Sequence, residues 1–140
     1  VAIMYAPQHR PGLMIDLLRE EELVLVTTDP ASHASSDKDY VHVDWGPDFA
    51  LRHDVSFPDA TPGLHVNLGP LGLGYILAAG GSGYFRVHAI QPYLASGQLH
   101  IVPGAARFAS PVYAVYSAPG ADALLEPALA GLHSVSRQTA

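Results

Sequence analysis

The 140-residue chain reads as an α/β protein with a mixed sheet, and three observations predict it. Apolar residues make up 49% and charged residues 14%, enough to bury one sizeable core and far from a disordered composition. Short β-branched or alternating runs recur along the chain, each bounded by Gly, Pro or Asp. Between them lie stretches with helical apolar spacing that end in glycine. Strands alternating with short helices are the signature of α/β organisation.

Val1 to Tyr5 is a short apolar run closed by Ala6-Pro7, read as a buried strand entering a loop. Leu13 to Leu18 fits either one helical turn or a strand. Glu20, Glu21 and Glu22 form an acidic turn, and Leu23 to Thr28 is the clearest strand, ended by Asp29-Pro30. Residues 29–39, rich in Ser, Asp and Ala, read as a linker and the best candidate boundary. Tyr40 to Trp45 alternates as a strand and stops at Gly46-Pro47. Phe49 to His53 is a short helix that Asp48 is placed to cap. Leu64 to Leu68 is another strand. From Pro70 to Ala79 the leucines and Ile76 recur at helical spacing, and Gly80-Gly81 supplies a left-handed cap. Gly83 to Val87 is a strand, His88 to Ser96 a helix despite Pro92, with Gly97 as its cap. Leu99 to Val102 and Val112 to Tyr116 are strands, and Leu124 to Val135 is a final helix with Pro127 in its first turn.

Charge and composition exclude several functions. Seven basic residues against thirteen acidic ones give −6, with Lys38 the single lysine. The first seventy residues hold four basic and eleven acidic groups, the last seventy three and two. Phosphate binding needs clustered Lys and Arg, so this chain does not bind nucleic acid by itself. With no cysteine there is no disulfide framework, thiolate metal site or Cys nucleophile, which fits a cytoplasmic protein. Apolar stretches break well before the ~18 residues of a membrane span. The chain begins at Val1 inside an apolar run with no readable signal peptide, as a piece of something longer would.

The motifs that could carry chemistry are few. Gly80-Gly81-Ser82-Gly83 could cradle an anion on backbone amides or serve as a structural turn. It lacks the Lys and Ser/Thr of a P-loop. The eight histidines show no metal-binding spacing; His42 and Asp44 share a strand face, with His53 further on. No nucleophile elbow and no acid–base pair at catalytic spacing occurs, so neither an enzyme nor a cofactor is expected. Trp45 to Phe49, where an aromatic strand end breaks, suits a cleft wall or plain core packing.

Several segments in order resemble one family. Val-Ala-Ile at the start is followed by Leu13–Leu18 and then Glu-Glu-Leu-Val-Leu-Val at 21–26. Downstream come Gly-Tyr-Ile-Leu-Ala-Ala-Gly-Gly-Ser-Gly-Tyr-Phe at 74–85, Pro92 to Leu99 with its Gly97, Pro111 to Tyr116, and Leu124 to His133. Their order and spacing are similar to the effector-binding domain of LysR-type transcriptional regulators. The resemblance implies a two-lobed, periplasmic-binding-protein-like domain, with lobe I at 1–33 and 108–140 and lobe II at 34–107. It also implies that the DNA-binding helix-turn-helix and the first part of lobe I lie outside this chain. Arg86 departs from the family pattern, which often has Pro after that strand. By the same resemblance an effector, an organic or aromatic acid, would contact Tyr5, Pro7, Trp45, Gly46, Phe49, Asn67, Ser82, Gly83 and Tyr84. Ile90, Tyr93 and Leu94 would face a partner subunit of a homodimer, or pack inside their own chain. A solute-binding component of a transporter is the alternative, sharing the architecture. The missing part of lobe I would leave an open apolar sheet edge.

Overall fold

A computed structural model describes residues 1–31, 38–117 and 123–138. The linker residues at 32–37 lie outside the described residues. The chain divides into two units, one of Val1–Glu21 with Ala109–Ala140, the other Glu22–Phe108. The first boundary therefore falls at Glu21–Glu22 and not at 33–34, while the return crossing lies within a residue of the expected place. The reason is physical: the strand that follows Glu21 is the middle of the second unit's sheet, so it belongs with the core it builds.

In the first unit, β1 (Ala2–Met4), β2 (Leu13–Arg19) and β9 (Val112–Ser117) form an antiparallel sheet in the order β1-β9-β2. Leu13 to Leu18 is thus resolved as strand. Ala114 and Val115 of the central strand are buried. Helix α4 (Leu125–Gln138) packs on β2, with His133 Nε2 4.0 Å from Asp16 Oδ2. The Tyr116 hydroxyl donates to that same carboxylate at 3.0 Å. Expected buried, β1 is instead exposed along its whole length. It is an edge strand paired only to β9, so Ile3 and Met4 are exposed, as are Leu13, Met14 and Leu17 on the other edge. Where β2 ends, a register shift between Leu17 and Arg19 turns the chain, and Arg19 pairs with Glu21.

The second unit contains β3 (Glu22–Thr27), β4 (Tyr40–Val43), β5 (Leu64–Val66), β6 (Ser82–Arg86) and β7 (His100–Ile101), and it ends at Phe108 within β8 (Phe108–Ala109). The order is β5-β4-β6-β3-β7, with β8 also on β3. β5, β4 and β6 run parallel, whereas β3 is antiparallel to β6 and β7. A continuous apolar run such as Leu23–Val26 is what a strand buried on both faces requires. The alternation of side chains sends Val24, Val26, Val41, Val43 and Phe85 into one core and Leu23, Leu25, Tyr40 and Tyr84 into another. Helices α2 (Gly69–Ala79) and α3 (Val87–Ala95) bring Ile76 and Ile90 to the first core. Helix α1 (Pro47–Ser56) brings Phe49 to the second.

Helix α1 extends beyond the expected Phe49–His53 at both ends, and the caps follow the sequence with one correction. Gly80, at φ 82°, caps α2 and donates its N–H to the Ile76 carbonyl at 2.8 Å. Gly97 is left-handed after α3, as read. Asp48 does not cap α1: the cap residue is Gly46, at φ 102°, and no side chain bonds the first turn. Asp48 sits inside that turn, where its charge still favours the helix dipole.

Candidate functional site

Because β4, β5 and β6 are parallel, their carboxyl ends lie along one edge of the sheet, where open α/β sheets bind ligands. Trp45 and Gly46 follow β4 at this edge, Asn67 follows β5, and Arg86 ends β6. β3 begins there, since Leu23 is opposite Arg86. Helices α1 and α2 both start from this edge, one on each face of the sheet, and neither has a side-chain cap on its first turn.

Trp45 ties the edge together. Its indole Nε1 donates to the Tyr84 carbonyl at 2.9 Å, just beyond the β4–β6 pairing. The Arg86 guanidinium lies 5.0 Å from the ring centre, within cation–π range. Gly69, the first residue of α2, sits against the indole so closely that any Cβ would collide with it. Asp44 Oδ1 accepts the Gly46 N–H at 2.9 Å, so the entry to α1 already has carboxylates at it. The first turn of α2 has no acidic residue of its own, and its N-terminal dipole faces the edge.

The sequence-derived candidates separate into three groups. Trp45, Gly46 and Asn67 come together at the carboxyl edge, Asn67 exposed and Trp45 half-buried. Ser82 and Gly83 are at the other end of the parallel strands, level with Tyr40 and Val41. At roughly 3.3 Å per residue, Trp45 is about 16 Å further along. Gly83 and Tyr84 belong to a central strand and are buried. The Tyr84 hydroxyl donates to the Ala106 carbonyl at 2.7 Å, and Phe49 packs against Tyr84 and Phe108. The glycine-loop amides are occupied within the chain: Gly80 by Ile76, Gly81 by the Thr28 hydroxyl at 2.9 Å, and Ser82 by the Asp39 carbonyl at 3.1 Å. That is a structural turn. Tyr5 and Pro7 follow β1 in the other unit, Tyr5 exposed and Pro7 half-buried.

Of the two readings of Ile90, Tyr93 and Leu94, burial within the chain is the one the contacts of α3 fit. Ile90 is 0% exposed within its own core, and Tyr93 and Leu94 pack against the same cluster, so the apolar side of α3 faces inward. Helix α2, like α3, carries no charged residue, and with its cap residue Leu68 it exposes Leu71 (61%) and Tyr75 (47%) at spacings of three and four.

Sequence reasoning missed two features. Arg86 stood out only as a departure from a pattern, although a cation ending a strand at this edge is itself a signal. The histidines looked scattered, yet His53 is buried. Its Nε2 shares a 2.8 Å hydrogen bond with the Tyr40 hydroxyl, and its ring stacks on Tyr40. Burial pushes both the Tyr40 and the Tyr84 hydroxyls well above the usual phenol range. Among the described residues, no group of three His, Cys, Asp or Glu could hold a metal ion, and no helix is long and apolar enough to cross a membrane.

No protein-family model matches the chain, and no curated protein matches it. Solved structures do. The apo regulatory domain of HypT from Salmonella typhimurium matches 97% of this chain with 72% of its own, at TM-score 0.77 and 11% identity. Full-length HypT, described as a hypochlorite-specific LysR-type transcriptional regulator, matches 92% of this chain with 48% of its own, at TM-score 0.72 and 11% identity. Full-length LysG from Corynebacterium glutamicum, solved with its effector Arg bound, matches 96% of this chain with 50% of its own, at TM-score 0.69 and 14% identity. The chain spans about half the length of these full-length regulators. It has the two-lobed α/β fold of LysR-type regulatory domains, with the mixed sheet in the second unit.

Proposed function

We propose that the chain is the effector-sensing part of a LysR-type transcriptional regulator. The observation that carries this reading is the likeness, over nearly the whole chain, to regulatory domains of that class. The neighbours quoted are regulators, which favours this reading over a transport component. A small organic acid binds at the carboxyl edge of the second unit, its carboxylate at the first turn of α2 beside Arg86 and Asn67, its apolar body against Trp45. LysG binds arginine, a ligand that also carries a carboxylate. DNA contact belongs to a separate basic domain, since this chain carries −6. The whole protein is cytoplasmic and needs no cofactor. The ligand acts by binding one arrangement of the regulator better than another.

A second copy of the chain is the proposed partner, and the uncharged face of α2 is its contact surface. Tyr75→Asp, on an exposed position, is expected to leave the fold intact and shift the intact regulator from dimer toward monomer in sedimentation velocity. An unchanged dimer removes α2 from the interface. The functional reading is tested by promoter-DNA binding of the intact regulator, with and without a panel of carboxylic and aromatic acids. Binding that changes with one acid supports it; indifference to every acid and to DNA rejects it.

A further inference from the structure

We propose that His42, His53 and His65 form an acid-sensitive latch that holds α1 against the sheet of the second unit. The three imidazoles run from core to surface. His53 of α1 is 2% exposed, His42 of β4 is half-buried, and His65 of β5 is exposed. Ring centres are 4.9 Å apart for His53 and His42, and 5.2 Å for His42 and His65. Around His53 stand the rings of Tyr40, Phe49, Phe57 and Tyr84.

The neutral form suits this setting and the charged form does not. One ring nitrogen of His53 is satisfied by Tyr40, while Nδ1 is buried without a hydrogen bond. Protonation makes both nitrogens donors, and the nearest carboxylate oxygen to Nδ1, on exposed Asp54, is 3.8 Å away. It also places like charges side by side along the triplet. The titratable groups facing the triplet are Tyr40 from β4, Asp44 just after that strand, Asp54 from α1 and Tyr84 from β6. From β3 and β8 come only Leu23, Leu25 and Phe108. Asp44 and Asp54 favour protonation of His42, but burial outweighs them, with His53 and His65 adding to it, and His42 is held below the ordinary imidazole value. Burial likewise lowers His53 against the pull of Asp54.

The direction of the pH effect follows. The unfolded chain protonates His42 and His53 near pH ~6.5, whereas the folded chain resists charging these two until lower pH. The latch therefore contributes fully above that value and weakens as pH falls from there through the depressed folded values. Because α1 begins just after its cap residue Gly46, release loosens the loop that carries Trp45. A proton and an effector would then bias the same edge, although the latch stands on the histidine geometry alone.

Trp45 is the only tryptophan and reports on this loop. Between pH 8 and pH 5 its emission is expected to shift to the red with a midpoint below ~6.5, while far-ultraviolet circular dichroism retains most of its signal. In the Tyr40→Phe, His53→Phe double variant, which replaces the bonded pair by two apolar rings, the amplitude falls by at least half. His65→Gln, at an exposed position, raises the midpoint by about half a pH unit by removing one neighbouring charge. Flat wild-type emission overturns the latch, and so does a transition unchanged in both variants. If the double variant is unfolded by circular dichroism, an unmoved midpoint in His65→Gln overturns it alone.

Discussion

Gly81→Ala lowers the stability of the second unit by about 3 kcal/mol or more, measured by urea unfolding. Two effects add. Gly81 has φ 136°, a conformation that L side chains rarely adopt, and such strain costs about 1–3 kcal/mol. A methyl there would also run into the Asp39 carbonyl oxygen, which already accepts the Ser82 N–H. Relieving that overlap in a packed site costs a further ~1–3 kcal/mol. Gly74→Ala is the control. It lies in α2 with nothing within 4 Å of a Cβ, and is expected to stabilise by about 0.5–1 kcal/mol. Equal effects at the two glycines would mean that the turn between α2 and β6 is not the rigid connection described.

The second large effect separates the two helices that compete for the surface role. Ile90→Ala destabilises by about 2–5 kcal/mol, because it empties a site surrounded by Val24, Val26, Phe85 and Leu99. Leu71→Ala, on the exposed side of α2, changes the stability of the monomeric chain by no more than ~0.5 kcal/mol. Reversal of that order would put α3, not α2, at the surface.

Sequence patterning reached the elements whose residues are committed by local chemistry. Leu23–Val26 is legible as a strand because burial on both faces leaves no polar position. The ends of α2 and α3 are legible because Gly80 and Gly97 have positive φ. What remained hidden depends on distant partners. An apolar run such as Val1–Tyr5 looks the same whether or not something covers it, and here it lies on an edge. The boundary at Glu21–Glu22 has no linker composition, since the crossing is one step at an Arg19–Glu21 pair. Residues 29–39 carry the linker signal without the domain boundary.

The candidate site was half legible. Trp45, Gly46 and Asn67 follow strand ends, and a strand end is visible in sequence. Ser82, Gly83 and Tyr84 seemed part of a glycine loop, yet Gly83 lies within a central strand. A Cβ there would stand 2.9 Å from the Val41 carbonyl oxygen and 3.0 Å from the Phe85 ring, so glycine serves packing. His53 was missed because nothing in its neighbourhood along the chain indicates that Tyr40, thirteen residues earlier, holds its ring.

The most direct test of the proposed effector site is calorimetric titration of this chain with a panel of small carboxylic and aromatic acids, repeated with Arg86→Ala. The account predicts saturable binding of at least one acid, weakened by added salt. It also predicts about 10–100-fold weaker binding in the variant, the loss expected for one charge-assisted contact. Binding of equal strength in both proteins, or no binding of any acid by the folded wild-type chain, would contradict it.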